Sequence, residues 1–119
     1  MAGRHSRPVA GGRGYWSAER LWILARDLPV RAVPLAAIAE FDQDCWFGVG
    51  RPATCKAVAE HARRICDADL AFPIILAADG SLMDGGHRVA KAWLLGKPTI
   101  EAVRFPHDPD PDYVVPDPA

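Results

Sequence analysis

The run Asp84-Gly85-Gly86-His87-Arg88 concentrates the residue types that handle phosphate. Two consecutive glycines let a backbone turn tightly, adopt positive φ and come close to a ligand. Ser81-Leu82-Met83 before them reads as a short strand, and Val89, Ala90, Trp93 and Leu94 after them share one helical face. A helix that starts near His87 presents its first N–H groups without intrahelical partners, at the positive end of the helix dipole. Strand, glycine turn and helix start together form an anion cradle. Arg88 and His87 would add charge-assisted donors, and Lys91, one turn beyond Arg88, would extend the basic edge. Asp84 could hold Mg²⁺ or take a proton from a substrate hydroxyl, and Asp42 and Asp44 are the best second carboxylates. Cradle, cation and base are what phosphoryl transfer requires. The same segment also reads as a tight turn in which Asp84 or Gly86 caps the helix and Arg88 is solvated. There is no G-x-x-x-x-G-K-[ST], so this is not a Walker A loop.

The elements that must position these residues follow from periodicity and punctuation. Ser17 is a good N-cap, and Leu21, Leu24, Ala25 and Leu28 recur on one face, so a helix is expected over 18–28, ended by Pro29. Residues 30–38 read as a strand interrupted at Pro34. A loop of sixteen residues follows, 39–54, carrying Glu40, Asp42 and Asp44, then Trp46 and Phe47. Connections of that length are often functional, and a solvated acidic turn anchored by two aromatics is the alternative. Trp46 is the one tryptophan placed to meet a ligand. Trp22 and Trp93 fall on apolar helical stripes and are expected in the core. Thr54 caps an amphipathic helix over 55–67, with His61 at the boundary of its apolar stripe. Residues 72–77 form a short buried strand. Gly96 and Pro98 stop the last helix, and 99–105 alternate as a final strand.

The chain has 119 residues, half of them hydrophobic, which suits one small α+β domain with a mixed sheet flanked by helices. Residues 1–14, with four glycines and three arginines, read as a flexible tail, and 15–105 as the domain. Residues 106–119, with five prolines and four aspartates, read as a second tail. A net charge of −1 speaks against a broad nucleic-acid footprint. Three cysteines without a C-x-x-C pair fit neither a secreted disulfide framework nor a zinc ribbon. No apolar run reaches the length of a membrane span and no secretory signal is recognisable, so a cytoplasmic protein is expected.

The stretch Val30 to Phe105 resembles the ParB/sulfiredoxin fold. "VRAVPLAAI" is similar to its opening strand, "CKAVAEHARRICDADLAFPIIL" to the following helix and strand, and "DGSLMDGGHRVAKAWLLG" to the strand–turn–helix that carries G-x-x-R. The last piece is similar to small stand-alone bacterial ParB-like proteins with D-G-x-H-R-V-A-K-A. The resemblance covers about two thirds of the chain. It implies that the glycine turn binds the phosphates of a nucleotide, since sulfiredoxins use ATP, ParB proteins CTP and a ParB-like free-serine kinase ADP. Gly85 and Arg88 match G-x-x-R, and His87 matches the histidine of the sulfiredoxin G-C-H-R motif. Gly86 stands where that motif has its cysteine, so peroxiredoxin repair by that nucleophile is not available. Gly86 and His87 also replace the glutamate and first arginine of the ParB G-E-R-R motif. No helix-turn-helix follows, so sequence-specific DNA binding lacks its reader, and the nuclease role sometimes given to ParB-like domains finds no basic stripe. The serine kinase pattern D-G-H-T-R keeps Asp84, Gly85 and Arg88.

Two functions therefore stand side by side. One is phosphoryl transfer or nucleotide hydrolysis with Mg²⁺, using Asp84, His87 and Asp42 or Asp44. The other is a non-catalytic nucleotide-binding or protein-interaction module. The ligand in either is a nucleotide or a phosphorylated small molecule, and no protein partner is indicated.

Overall fold

The structure is a computed structural model that describes residues 3–118. It is an α+β fold of two sheets and three helices. The central sheet has four strands in the order β3-β6-β4-β5, where β3 is Arg31–Pro34, β4 Ile74–Leu76, β5 Leu82–Asp84 and β6 Thr99–Arg104. It is mixed: β4 runs parallel to β6, and the other neighbours are antiparallel. The three helices are α1 (Ala18–Ala25), α2 (Cys55–Asp67) and α3 (Gly86–Leu94).

Each helix carries its own boundary signals. The Ser17 hydroxyl accepts from Arg20 N, and Thr54 accepts from Ala57 N, closing the first turns of α1 and α2. Gly96, at φ 73°, ends α3: its N–H donates to Trp93 O and that of Lys97 to Ala92 O, the paired bonds of a Schellman stop. α1 is shorter than the 18–28 periodicity suggests, because the chain leaves the helix after Ala25 to meet Pro29. Pro34 closes β3 and passes directly into short 3-10 turns over Leu35–Ala37 and Ala39–Asp42, so the long loop begins with ordered structure.

Of the two tails expected from composition, residues 3–14 and 106–118 are part of the fold, and residues 1, 2 and 119 lie outside the described residues. β1 (Arg4–Val9) and β2 (Gly12–Ser17) form a hairpin, and β7 (Tyr113–Pro116) pairs with the other edge of β2. Hydrophobic alternation did not announce them because polar contacts hold much of this sheet. Arg7 pairs with Asp108 at 2.5 Å and Arg20 with Asp112 at 2.7 Å. Arg4 donates to the Tyr113 hydroxyl at 2.6 Å, and the buried Trp16 donates its Nε1–H to Pro109 O at 2.8 Å. The aspartates that suggest a solvated arm are the acceptors that fasten it. Gly12 is required where β7 crosses, since a Cβ there would overlap Val115 O.

The central sheet has a different cover on each face. Trp16, Leu21, Ala25, Ile75, Ala77, Met83, Val103 and Phe105 form a core beneath α1 and β2. Leu35, Ile38, Ile74, Leu76, Val89, Ala92, Ile100 and Ala102 form the second core, beneath α3. α2 adds no fully buried residue to either. Trp93, expected inside, is 60 % exposed, and its neighbours Leu94 and Leu95 are similarly open. No helix among the described residues is long and apolar enough to cross a membrane.

Candidate functional site

β5 delivers Asp84 to the sheet edge, Gly85 turns the chain, and α3 starts at Gly86. Gly85 has φ 121°, and a Cβ on it would lie 2.5 Å from Ile74 Cγ2. Both the backbone conformation and the close approach to the core therefore demand glycine here. The N-cap residue is Gly85, which has no side chain to offer, and among the described residues neither Asp84 nor any other side chain accepts from the first N–H groups of the helix. The strand–turn–helix read from the sequence is present, and the capping alternative is not.

The charged residues of the motif are committed elsewhere. Arg88 Nη2 donates to Asp84 Oδ2 at 2.7 Å, and Nη1 donates to Phe72 O at 3.2 Å and Pro73 O at 3.0 Å. The guanidinium lies over the Trp22 ring, 5.0 Å from its centroid. Trp22 Nε1 donates to the same Asp84 oxygen at 3.0 Å. Asp84 is thus the hub of an ion pair that ties α1, β5 and α3 together. A metal at Asp84 would face the positive charge of Arg88 across that 2.7 Å contact, which disfavours the Mg²⁺ role expected for it. Lys91 does not extend a basic edge at the turn. Its Nζ donates to Cys66 O at 2.8 Å and Ala68 O at 2.6 Å, holding the C-terminal carbonyls of α2.

His87 and His61 meet, a pairing the sequence reading did not anticipate. His61 Nδ1 and His87 Nε2 are 2.8 Å apart, so one donates to the other. Trp46 stacks on both rings, with centroids at 4.6 Å from His87 and 4.8 Å from His61 and planes within 10°. Phe47 meets His61 edge-on. Burial pushes the His87 pKa down to about 4, and neighbouring His61, Arg64 and Arg88 push the same way. Burial and Arg64 also lower His61. Near neutral pH His87 is therefore an uncharged hydrogen-bonding group at the helix start, not a cation. The one clue in the sequence was that His61 sits at the edge of an apolar stripe.

Trp46 also reaches the glycine turn: a Cβ on Gly86 would sit 3.5 Å from its Nε1, an ordinary contact distance. The loop that carries Trp46 is shaped by Asp44, whose Oδ1 accepts from Trp46 N at 3.2 Å and Phe47 N at 2.8 Å. Between this loop and α3 lies a cavity of about 400 Å³, walled by Glu40, Phe41, Asp44, Trp46 and Phe47 on one side and by Gly86, Val89, Ala90 and Trp93 on the other. Asp44 and Gly86 both line this cavity, and Asp44 Oδ1 is turned to the backbone of its own loop. Asp42 lies at the exposed end of the 39–42 turn, outside the cavity wall. No group of three or more His, Cys, Asp or Glu side chains is arranged to hold a metal ion among the described residues.

The arrangement offers an uncapped helix N-terminus, a neutral histidine pair and an aromatic surface, with Asp84, Asp44, Arg88 and Lys91 engaged in internal bonds. Comparison with family models, with curated proteins and with solved structures returns no match.

Proposed function

We propose that this chain is a phosphate-binding domain of the ParB-like kind, taking a nucleotide or another phosphorylated small molecule at the glycine turn. The carrying observation is the N-terminus of α3, which no side chain caps. The N–H groups of Gly86, His87 and Arg88 supply donors there, and the helix dipole favours an anion. Arg88 and Lys91 act at a distance, by fixing β5, α2 and α3 around the turn. Trp46 gives an aromatic surface beside the turn against which a base can stack.

Binding is favoured over phosphoryl transfer. Asp84 is spent on Arg88 and Trp22, Asp44 on the backbone of its own loop, and Asp42 stands apart. A base or metal ligand at Asp84 would first have to break an ion pair that holds three elements together. Mg²⁺ would then arrive with a nucleotide, coordinated by its phosphates and water.

The test is a thermal-shift and calorimetric screen of ATP, ADP, CTP, GTP and inorganic pyrophosphate, with and without Mg²⁺, on wild type and Gly86→Asp. The substitution puts a negative charge at the helix start, where it suits the dipole and repels phosphate. A ligand that binds the native state raises Tm by mass action. The expected result is a shift in wild type that Gly86→Asp abolishes while keeping its own Tm. Absence of a shift with every ligand in folded wild type overturns the reading.

A further inference from the structure

The cavity between the 40–47 loop and α3 carries charge of one sign. Glu40 and Asp44 are its charged wall residues, and no Lys, Arg or His side chain of the described residues lines it. Aromatic rings stand on both walls: Phe41, Trp46 and Phe47 from the loop, and Trp93 from α3. Phe41 and Trp93 approach to 6.2 Å between centroids, tilted by 53°. Glu40 has an oxygen, Oε1, that is shut off from solvent and has no hydrogen-bond partner among the described residues. That oxygen presents no surface to the cavity, so a cation there would act on the Glu40 charge through space and not by a bond to Oε1. Asp44 Oδ1 accepts two backbone N–H bonds from its own loop.

We propose that this cavity binds a small organic ammonium ion, quaternary or alkylated, with its methyl groups against the aromatic rings and its charge toward Glu40 and Asp44. Faces of Trp and Phe rings attract such cations, and a quaternary centre gives up its hydration easily. The volume, about 400 Å³, suits a small ligand. A neutral apolar ligand would fill the space and leave both carboxylates without a counter-charge. The cavity shares Gly86 and Trp46 with the turn, and the ammonium is placed in its remaining part, against Phe41, Val89, Ala90 and Trp93.

The experiment is calorimetry on the full chain with choline and with 3,3-dimethylbutanol, which has the same shape and no charge. Choline should bind about tenfold or more tightly than the alcohol, the discrimination expected of a cation held by rings and carboxylates. Glu40→Gln, which keeps shape and removes charge, should cut that preference roughly fivefold. Trp93→Leu should weaken choline and leave the alcohol within about twofold, since it exchanges a π face for aliphatic surface. Equal affinity for both ligands in wild type would make the cavity merely apolar and overturn the proposal. So would the absence of saturable choline binding in folded protein.

Discussion

The two faces of the central sheet are built to different standards. Under α1 and the N-terminal hairpin, Trp16, Leu21 and Ile75 are almost wholly buried, and a strap of prolines and aspartates seals the edge. On the α3 side, Ile74 and Val89 are equally buried, but the next layer is thin. α2 buries nothing completely, Val58 is 48 % exposed, and a cavity remains between α3 and the loop. Close packing maximises dispersion and apolar burial, while a binding surface requires that some of it be forgone. The sealed face carries stability, and the open face carries the turn, the histidine pair and the cavity.

Substitutions can break this contrast. Leu21→Ala and Ile75→Ala on the sealed face should each cost about 2–5 kcal/mol in chemical denaturation, the usual range for truncating a buried aliphatic side chain. Val58→Ala on α2 should change stability by less than about 0.5 kcal/mol. Similar losses at the three positions would mean that α2 is packed as tightly as α1. Gly85→Ala should cost about 1–3 kcal/mol or more, since it forces a non-glycine residue to φ 121° and drives a Cβ into Ile74. A neutral result there would remove the strained turn from the account. Deleting residues 106–119 should cost about 1–3 kcal/mol from the Trp16 N–H alone, which loses its acceptor while buried, before the β7 ladder is counted. If the deletion left the melting curve unchanged, these residues would be the loose tail that their composition suggests.

The open face should also carry a pH dependence. His87 binds its proton less readily in the folded chain, at about 4, than in the unfolded chain, near 6.5. The unfolded state therefore takes up the proton first as pH falls. The contribution is fully present above about 6.5 and is lost between there and about 4. His87→Gln should flatten the Tm profile across that window. An unchanged profile would place the sensitivity elsewhere.

The elements that form α2, α3 and the central strands are legible in the sequence because caps, glycine stops and apolar periodicity agree there. Thr54, Gly85 and Gly96 act as local rules require. The β1-β2-β7 sheet was hidden because its holding contacts run from Arg4, Arg7 and Arg20 to residues 90 to 109 positions away, and composition records the charges without the partners. The same limit applies at the site. The positions of Gly85, Gly86, His87 and Arg88 at a strand–helix junction could be read directly. That Lys91 would be consumed by the last carbonyls of α2, and that His61 would bond to His87 beneath Trp46, depends on how α2 docks beside α3. No spacing along the chain expresses that docking.

The most direct test of a binding site on the open face is a residue-resolved NMR titration of the ¹⁵N-labelled chain with pyrophosphate and with ATP. The account predicts saturable shifts concentrated at the amides of Gly85, Gly86, His87 and Arg88 and at the Trp46 indole N–H, with the α1 and β2 amides unmoved. Saturable shifts centred on the hairpin and β7, or no shift at any amide, would contradict it.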